Sequence, residues 1–181
     1  MGTDMPIDDE HSGQEASGNG TPAGPAASNT ALGSRFQQMF PVLSEGEVDH
    51  VRRFGEVERF AAGEYLFHAG EAVHGMYVIL SGRIAIVPRD GLGQTVPVAA
   101  FAELIGAPLE EMTEVVPGEV IADIGQLSGR PDLSVIDARA IGDVEAIVVP
   151  PAGLRALLVA EAELGERILR ALILRDRKSV V

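Results

Sequence analysis

From Val57 to Val149 the apolar positions come in short runs cut by glycine: VERF, EYLFHAG, MYVILSG, RIAIVP and, at the far end, DVEAIVVP. Runs of this length, rich in β-branched and aromatic residues and bounded by turn residues, predict antiparallel strands joined by tight turns. Gly70 and Gly82 fall where two of those turns need backbone freedom that a Cβ would obstruct, and Met76 to Ile79 between them predicts a buried strand. Outside this zone the period changes. Ser44 and Glu47 form a capping box ahead of Val48, Val51 and Phe54, which predicts a short helix, and LGSRFQQMF before it predicts another. After the β zone, Pro150-Pro151 opens a helix whose apolar positions Leu154, Leu157 and Leu158 continue as Leu164, Ile168, Leu169 and Leu172. Glu163 with Arg167, and Glu166 with Arg170, are i,i+4 pairs in the favourable order and mark a solvent face.

These elements predict a mainly β fold with helices (α+β): a β-roll or jelly roll of about eight strands from Glu56 to Val149. Short N-terminal helices flank it and helices from Pro151 to Arg175 close it. Between Asp90 and Val116 the regular texture lapses into a GLGQ turn, a strand-like TVPVA and FAELIGAPLEEMTEV, which predicts an inserted short helix. Gly91-Leu92-Gly93 lacks the third glycine of a dinucleotide loop and follows a strand, so it reads as a turn. The apolar stripe of the last helix predicts a packing surface, on its own roll or as a homodimer contact.

Three compositional zones follow. Residues 1–30 are rich in Gly, Ser, Ala and Pro, carry Asp4, Asp8, Asp9, Glu10 and Glu15 without a basic residue, and read as a disordered acidic tail. Residues 31–175 form the folded domain. Residues 176–181, DRKSVV, are what a common sequencing-adapter string encodes when read through, and read as a non-native terminal segment.

At 181 residues and 46% hydrophobic content the chain can bury one sizeable core. The absence of cysteine excludes disulfides, thiolate metal sites and CxxC redox chemistry within this sequence. The formal charge of −13, with arginines scattered or paired, argues against a nucleic-acid surface. The longest apolar runs are too short for a membrane span, so a cytoplasmic protein with no membrane partner is expected. His68 and His74 are not arranged as HxH and read as turn or surface histidines, and no nucleophile motif accompanies the many acids.

LFHAGEAVHGMYVILSG, Leu66 to Gly82, resembles the first signature of the cyclic-nucleotide-binding family, with Val73 standing where the family has a small residue. Pro117 to Asp137, PGEVIADIGQLSGRPDLSVID, is similar to the family's phosphate cassette. That resemblance implies a site in which backbone groups and an arginine hold the cyclic phosphate and a glutamate accepts from the ribose 2′-hydroxyl. Carried onto this sequence, Ala122 takes the place of the cassette glycine, Asp123 of the glutamate and Asp132 of the arginine, with Leu133 and Ser134 at the small-residue positions. Ala122 adds a methyl where backbone approaches ligand, Asp123 is a methylene short, and Asp132 replaces attraction with repulsion. Losing such a charge pair costs about 2 to 5 kcal/mol, and about 1.4 kcal/mol is tenfold in affinity, which moves a micromolar site into the millimolar range. Arg130 and Arg139 are the arginines that could substitute if the loop were redrawn.

A second resemblance rests on FPVLSEGEVDHVRRFGEVERF, GQLSGRP and DVEAIVVPPAGLRALLVAEAELGERILRALILR. Together these stretches are similar to the N-terminal cyclic-nucleotide-binding-like domain of bacterial proteins fused to a flavin-dependent thioredoxin-reductase-like module. The resemblance implies FAD, NADPH and a CxxC pair in a module after Arg175, with no cofactor in the present chain. The expected function is therefore a non-catalytic regulatory domain with a degenerate cassette and, at most, a small-molecule ligand in the roll. The alternatives are a working cAMP- or cGMP-binding allosteric domain, or part of a catabolite-activator-type transcription regulator.

Overall fold

The computed structural model describes residues 35, 37–105, 114–122, 124–129 and 133–176. The expected acidic tail and the stretch after Asp176 lie outside the described residues. Residues 37–39 are helical, and Met39 is buried. Helix α1 (Glu45–Val51) starts on the expected capping box: Glu47 N donates to Ser44 Oγ at 3.3 Å and Ser44 N to Glu47 Oε2 at 2.8 Å. A 3-10 turn (Arg52–Phe54) then feeds the sheet.

The strands are β1 (Glu56–Phe60), β2 (Tyr65–Phe67), β3 (Met76–Pro88), β4 (Glu114–Val115), β5 (Val120–Ile121) and β6 (Ile136–Val149). All pairings are antiparallel, in the order β1-β6-β3-β4, with β2 on β6 and β5 on β3. MYVILSG and RIAIVP, expected as two strands joined by a turn, are one strand. Gly82 has φ 81°, and the register with β6 slips between Ile79 and Ser81 and again between Ser81 and Arg83. The glycine thus makes a bulge that bends both long strands. A Cβ at Gly82 would lie 2.4 Å from the Asp143 carbonyl oxygen, so the bend admits no side chain there. Because of it, the first half of β3 carries β5 and the second half carries β4, and the sheet curls into a roll. The described residues hold six strands, and TVPVA is not a seventh. Thr95 bridges Arg89, and Pro97 precedes helix α2 (Val98–Ile105), whose first turn holds Ala99 and Ala100.

Helix α3 (Gly125–Ser128) interrupts the return to β6. Helix α4 (Pro151–Ala160), with Pro151 at its first position, and α5 (Ala162–Asp176) close the fold and are separated at Glu161 (φ −115°, ψ 80°). Alternation along β3 feeds two apolar cores. Met76 and Val78 face the helices with Ile147 and Val149, and pack with Val51, Leu154, Leu157, Leu164, Ile168 and Leu172. Tyr77 and Ile79 face the roll interior with Ala146, Leu66, Phe67, Ile84 and Ala138. Each large side chain buried in this way contributes about 1.5 to 3 kcal/mol. The expected Glu163–Arg167 pair is replaced: Arg167 reaches across to Glu47 at 2.6 Å and to the Val42 carbonyl at 2.7 Å. A carboxylate plus a carbonyl offers a guanidinium more acceptors than one neighbour on its own helix. The Glu166–Arg170 pair does form, at 2.5 Å.

Candidate functional site

Strand β5 delivers the chain to the candidate cassette: Val120 and Ile121 pair with Val78 and Tyr77, and the half-buried Ala122 follows. One turn of helix, α3, comes next and ends at Gly129, whose φ of 72° supplies the left-handed cap. The downstream limb is tied by its backbone to the β2–β3 turn. Leu133 bridges Ala72, Gly70 N donates to Ser134 O at 2.8 Å, and Ser134 N donates to Glu71 O at 2.8 Å. The Ser134 hydroxyl bonds within its own limb, donating to Ile136 O at 2.7 Å and accepting from Ile136 N at 3.1 Å. Both donors of Ser134 are thus engaged, and the Leu133 side chain is 63% exposed. Asp123, Arg130 and Asp132 lie outside the described residues. Arg139 does not reach the limb from inside: it is exposed on β6, opposite Tyr65 and Ala85, between the inward-facing Ala138 and Ala140.

Helix α3 is anchored on its other face by a residue that the sequence pattern did not single out. Gln126 is 3% exposed and its Nε2 donates to Gly75 O at 2.6 Å, while Arg155 of α4 donates to Gln126 O at 3.2 Å. The cassette turn is therefore joined directly to the start of β3 and to the first C-terminal helix.

A second unanticipated residue holds the open end of the roll. Asp137, buried on β6, accepts from Ala69 N at 2.8 Å and from Arg89 at 2.8 Å (Nε) and 2.7 Å (Nη2), with His68 Nδ1 at 3.8 Å. Burial acts to raise its pKa, but the Ala69 N–H, the Arg89 guanidinium and His68 outweigh it and hold the carboxyl below the usual carboxylate range. Three segments, the turn at 68–70, the end of β3 and the start of β6, converge on this one side chain. Alternation with Ala138 and Ala140 puts Asp137 on the face of the exposed Arg139, so the strand pattern gave no sign of its burial, and an arginine just after the opposing strand was its sequence signal. His68 stacks on Tyr65 with ring centroids 4.1 Å apart and His74 is exposed, and the described residues contain no cluster of metal-binding side chains. Gly91 to Gly93 form the expected turn, with Asp90 Oδ1 accepting from Leu92 N and Gln94 N.

The family model for the cyclic nucleotide-binding domain matches residues 57–161, from β1 to the break after α4. The chain belongs to that family. Solved structures show the same fold. The catabolite activator protein of Thermus thermophilus aligns at a TM-score of 0.56 and 19% identity, over 76% of this chain and 57% of that one. CprK in complex with o-chlorophenolacetic acid gives 0.55 and 14%, over 76% and 50%. The N-terminal domain of a transcriptional regulator from Streptomyces coelicolor A3(2) gives 0.53 and 20%, over 81% and 93%. This cyclic nucleotide-binding domain thus spans about half the length of the catabolite activator protein and CprK chains. No curated protein sequence matches the chain significantly. Among the described residues no helix is long and apolar enough to cross a membrane.

Proposed function

We propose that this cyclic nucleotide-binding domain is the non-catalytic, effector-sensing part of a regulator of the catabolite-activator type, with a cassette that holds cAMP and cGMP weakly. The carrying observation is the connection Gly75–Gln126–Arg155, which ties α3 directly to the start of β3 and to α4. That is the mechanical arrangement a sensor needs. The weak-binding half rests on the sequence departures at Ala122, Asp123 and Asp132, together with the engaged donors of Ser134. The CprK complex with o-chlorophenolacetic acid supports a ligand other than a cyclic nucleotide for this fold.

The reductase fusion rests on the sequence resemblance alone, whereas the structural comparisons return transcription regulators, so the regulator reading is preferred. FAD and NADPH would belong to the fusion reading only. The charge of −13 speaks for this chain's own surface and does not exclude a regulator that contacts DNA through another module. Self-association would use the outer face of α5, where Leu169 and Ile173 are exposed. Titration calorimetry with cAMP and cGMP tests the cassette: no binding is expected at micromolar ligand, and Asp132→Arg is expected to recover part of the affinity. Micromolar binding by the wild-type chain would overturn the weak-binding reading and make Arg130 the residue to replace.

A further inference from the structure

Among the described residues β1 has a strand on one side only. It pairs with β6 from Glu56 opposite Val148 to Phe60 opposite Val144, and it ends the sheet path. Among the described residues, no strand takes up the backbone donors and acceptors of its outer edge. Beside this edge lies an open groove of about 420 Å³, lined by the apolar Phe54, Val148 and Pro150 and by the charged Arg53, Glu56 and Glu58.

Charge decides what this groove suits. Arg53 is engaged by Glu161, and the adjacent Arg59 by Glu145 at 2.7 Å. The carboxylates of Glu56 and Glu58, two positions apart and on one face of β1, have no hydrogen bond or ion pair among the described residues. Among the described residues no cation pairs with either carboxylate. Tyr77, in the row of the sheet that holds Glu56 and Val148, registers the Glu58 charge: burial and then Glu58 push its hydroxyl above the ordinary phenol range. A lysine or arginine side chain matches both parts of the lining, since its methylene stem covers apolar surface while its head stays in water beside carboxylates. A volume of this size takes one or two side chains.

We propose that the outer edge of β1 and this groove form a docking site for an extended basic segment of a partner protein. The segment adds a strand to β1 and lays a Lys or Arg side chain over Phe54, Val148 and Pro150, toward Glu56 and Glu58. Backbone pairing supplies affinity and the carboxylates select the side chain.

The test uses the whole chain and three peptide probes: acetyl-Thr-Val-Lys-Val-Arg-Val-Thr-amide, a twin with Glu in place of Lys and Arg, and a twin with proline in place of every Val. Backbone amide shifts and dissociation constants are read by NMR titration. The basic peptide is expected to shift the amides from Glu56 to Phe60, with the acidic and proline twins leaving them in place. The double variant Glu56→Gln, Glu58→Gln changes only exposed side chains and is expected to weaken binding about tenfold. Shifts spread over the acidic surface instead of β1, equal binding of the proline twin, or unchanged affinity of the double variant would each overturn the proposal.

Discussion

Arg167 on α5 and Glu47 at the start of α1 meet at 2.6 Å, although 120 residues separate them in the chain. The same glutamate accepts from Ser44 N, so one carboxylate caps α1 and fastens it to α5. Arg167→Ala is expected to lower unfolding free energy by about 1 kcal/mol. Glu163→Ala is expected to change nothing beyond its helix propensity, because Glu163 has no ion pair among the described residues. Urea midpoints of the two variants check this. An equal loss from both would return Arg167 to the i,i+4 pair.

Asp137 sets a pH dependence. Its folded pKa is lowered, so the folded state holds the proton less tightly than the unfolded chain does. The stabilisation is complete above the ordinary carboxylate range, near pH 4, and is lost as pH falls through the lowered folded value. Asp137→Asn is expected to cost about 2 kcal/mol at neutral pH, below the about 3 to 5 of a fully buried pair, since Arg89 keeps Thr95 and some solvent. Unfolding measured from pH 7 to 3 should show a flatter acid limb for the variant. Parallel limbs would mean that Asp137 is not the group titrating there.

Gly153 in α4 packs against the 3-10 turn so closely that a Cβ would sit 2.1 Å from the Phe54 carbonyl oxygen. Backbone cannot yield as a side-chain tip can. Gly153→Ala should therefore destabilise by about 2 kcal/mol or more, although alanine is the better helix former. A thermal midpoint at or above wild type would show that α4 shifts freely on the turn.

The apolar stripe of α5 divides. Leu172 is 1% exposed in the core and Leu169 is 37% exposed. Leu172→Ala is expected to cost about 2 to 5 kcal/mol, while Leu169→Glu should stay within about 0.5 kcal/mol of wild type. Sedimentation of Leu169→Glu separates packing from pairing: any dimer formed through α5 should dissociate in it. A dimer that survives the substitution uses another face.

Element type was legible in the sequence because it depends on local period. The Ser44 and Glu47 capping box, Pro151 at the first position of α4, the buried run Met76 to Ile79 and the turn at Gly91 to Gly93 all lie within a few residues of the signals that predict them. The family signature was legible for the same reason, being carried by contiguous stretches that the family model matches across residues 57–161. Tertiary structure decided whatever depends on partners distant in the chain. Gly82 reads locally as the end of a turn, and only the crossing of Asp143 makes it a bulge inside one long strand. Arg167 has an acceptable partner four residues away, and the approach of α1 offers it two better acceptors. Asp137 and Arg89 are 48 residues apart and meet because β3 and β6 run antiparallel along their whole length. At the cassette, the sequence alone could name the substitutions. Only the fold showed that Ser134 has its donors engaged by Glu71 and Ile136, since a hydrogen-bond partner is set by where the β2–β3 turn comes to rest.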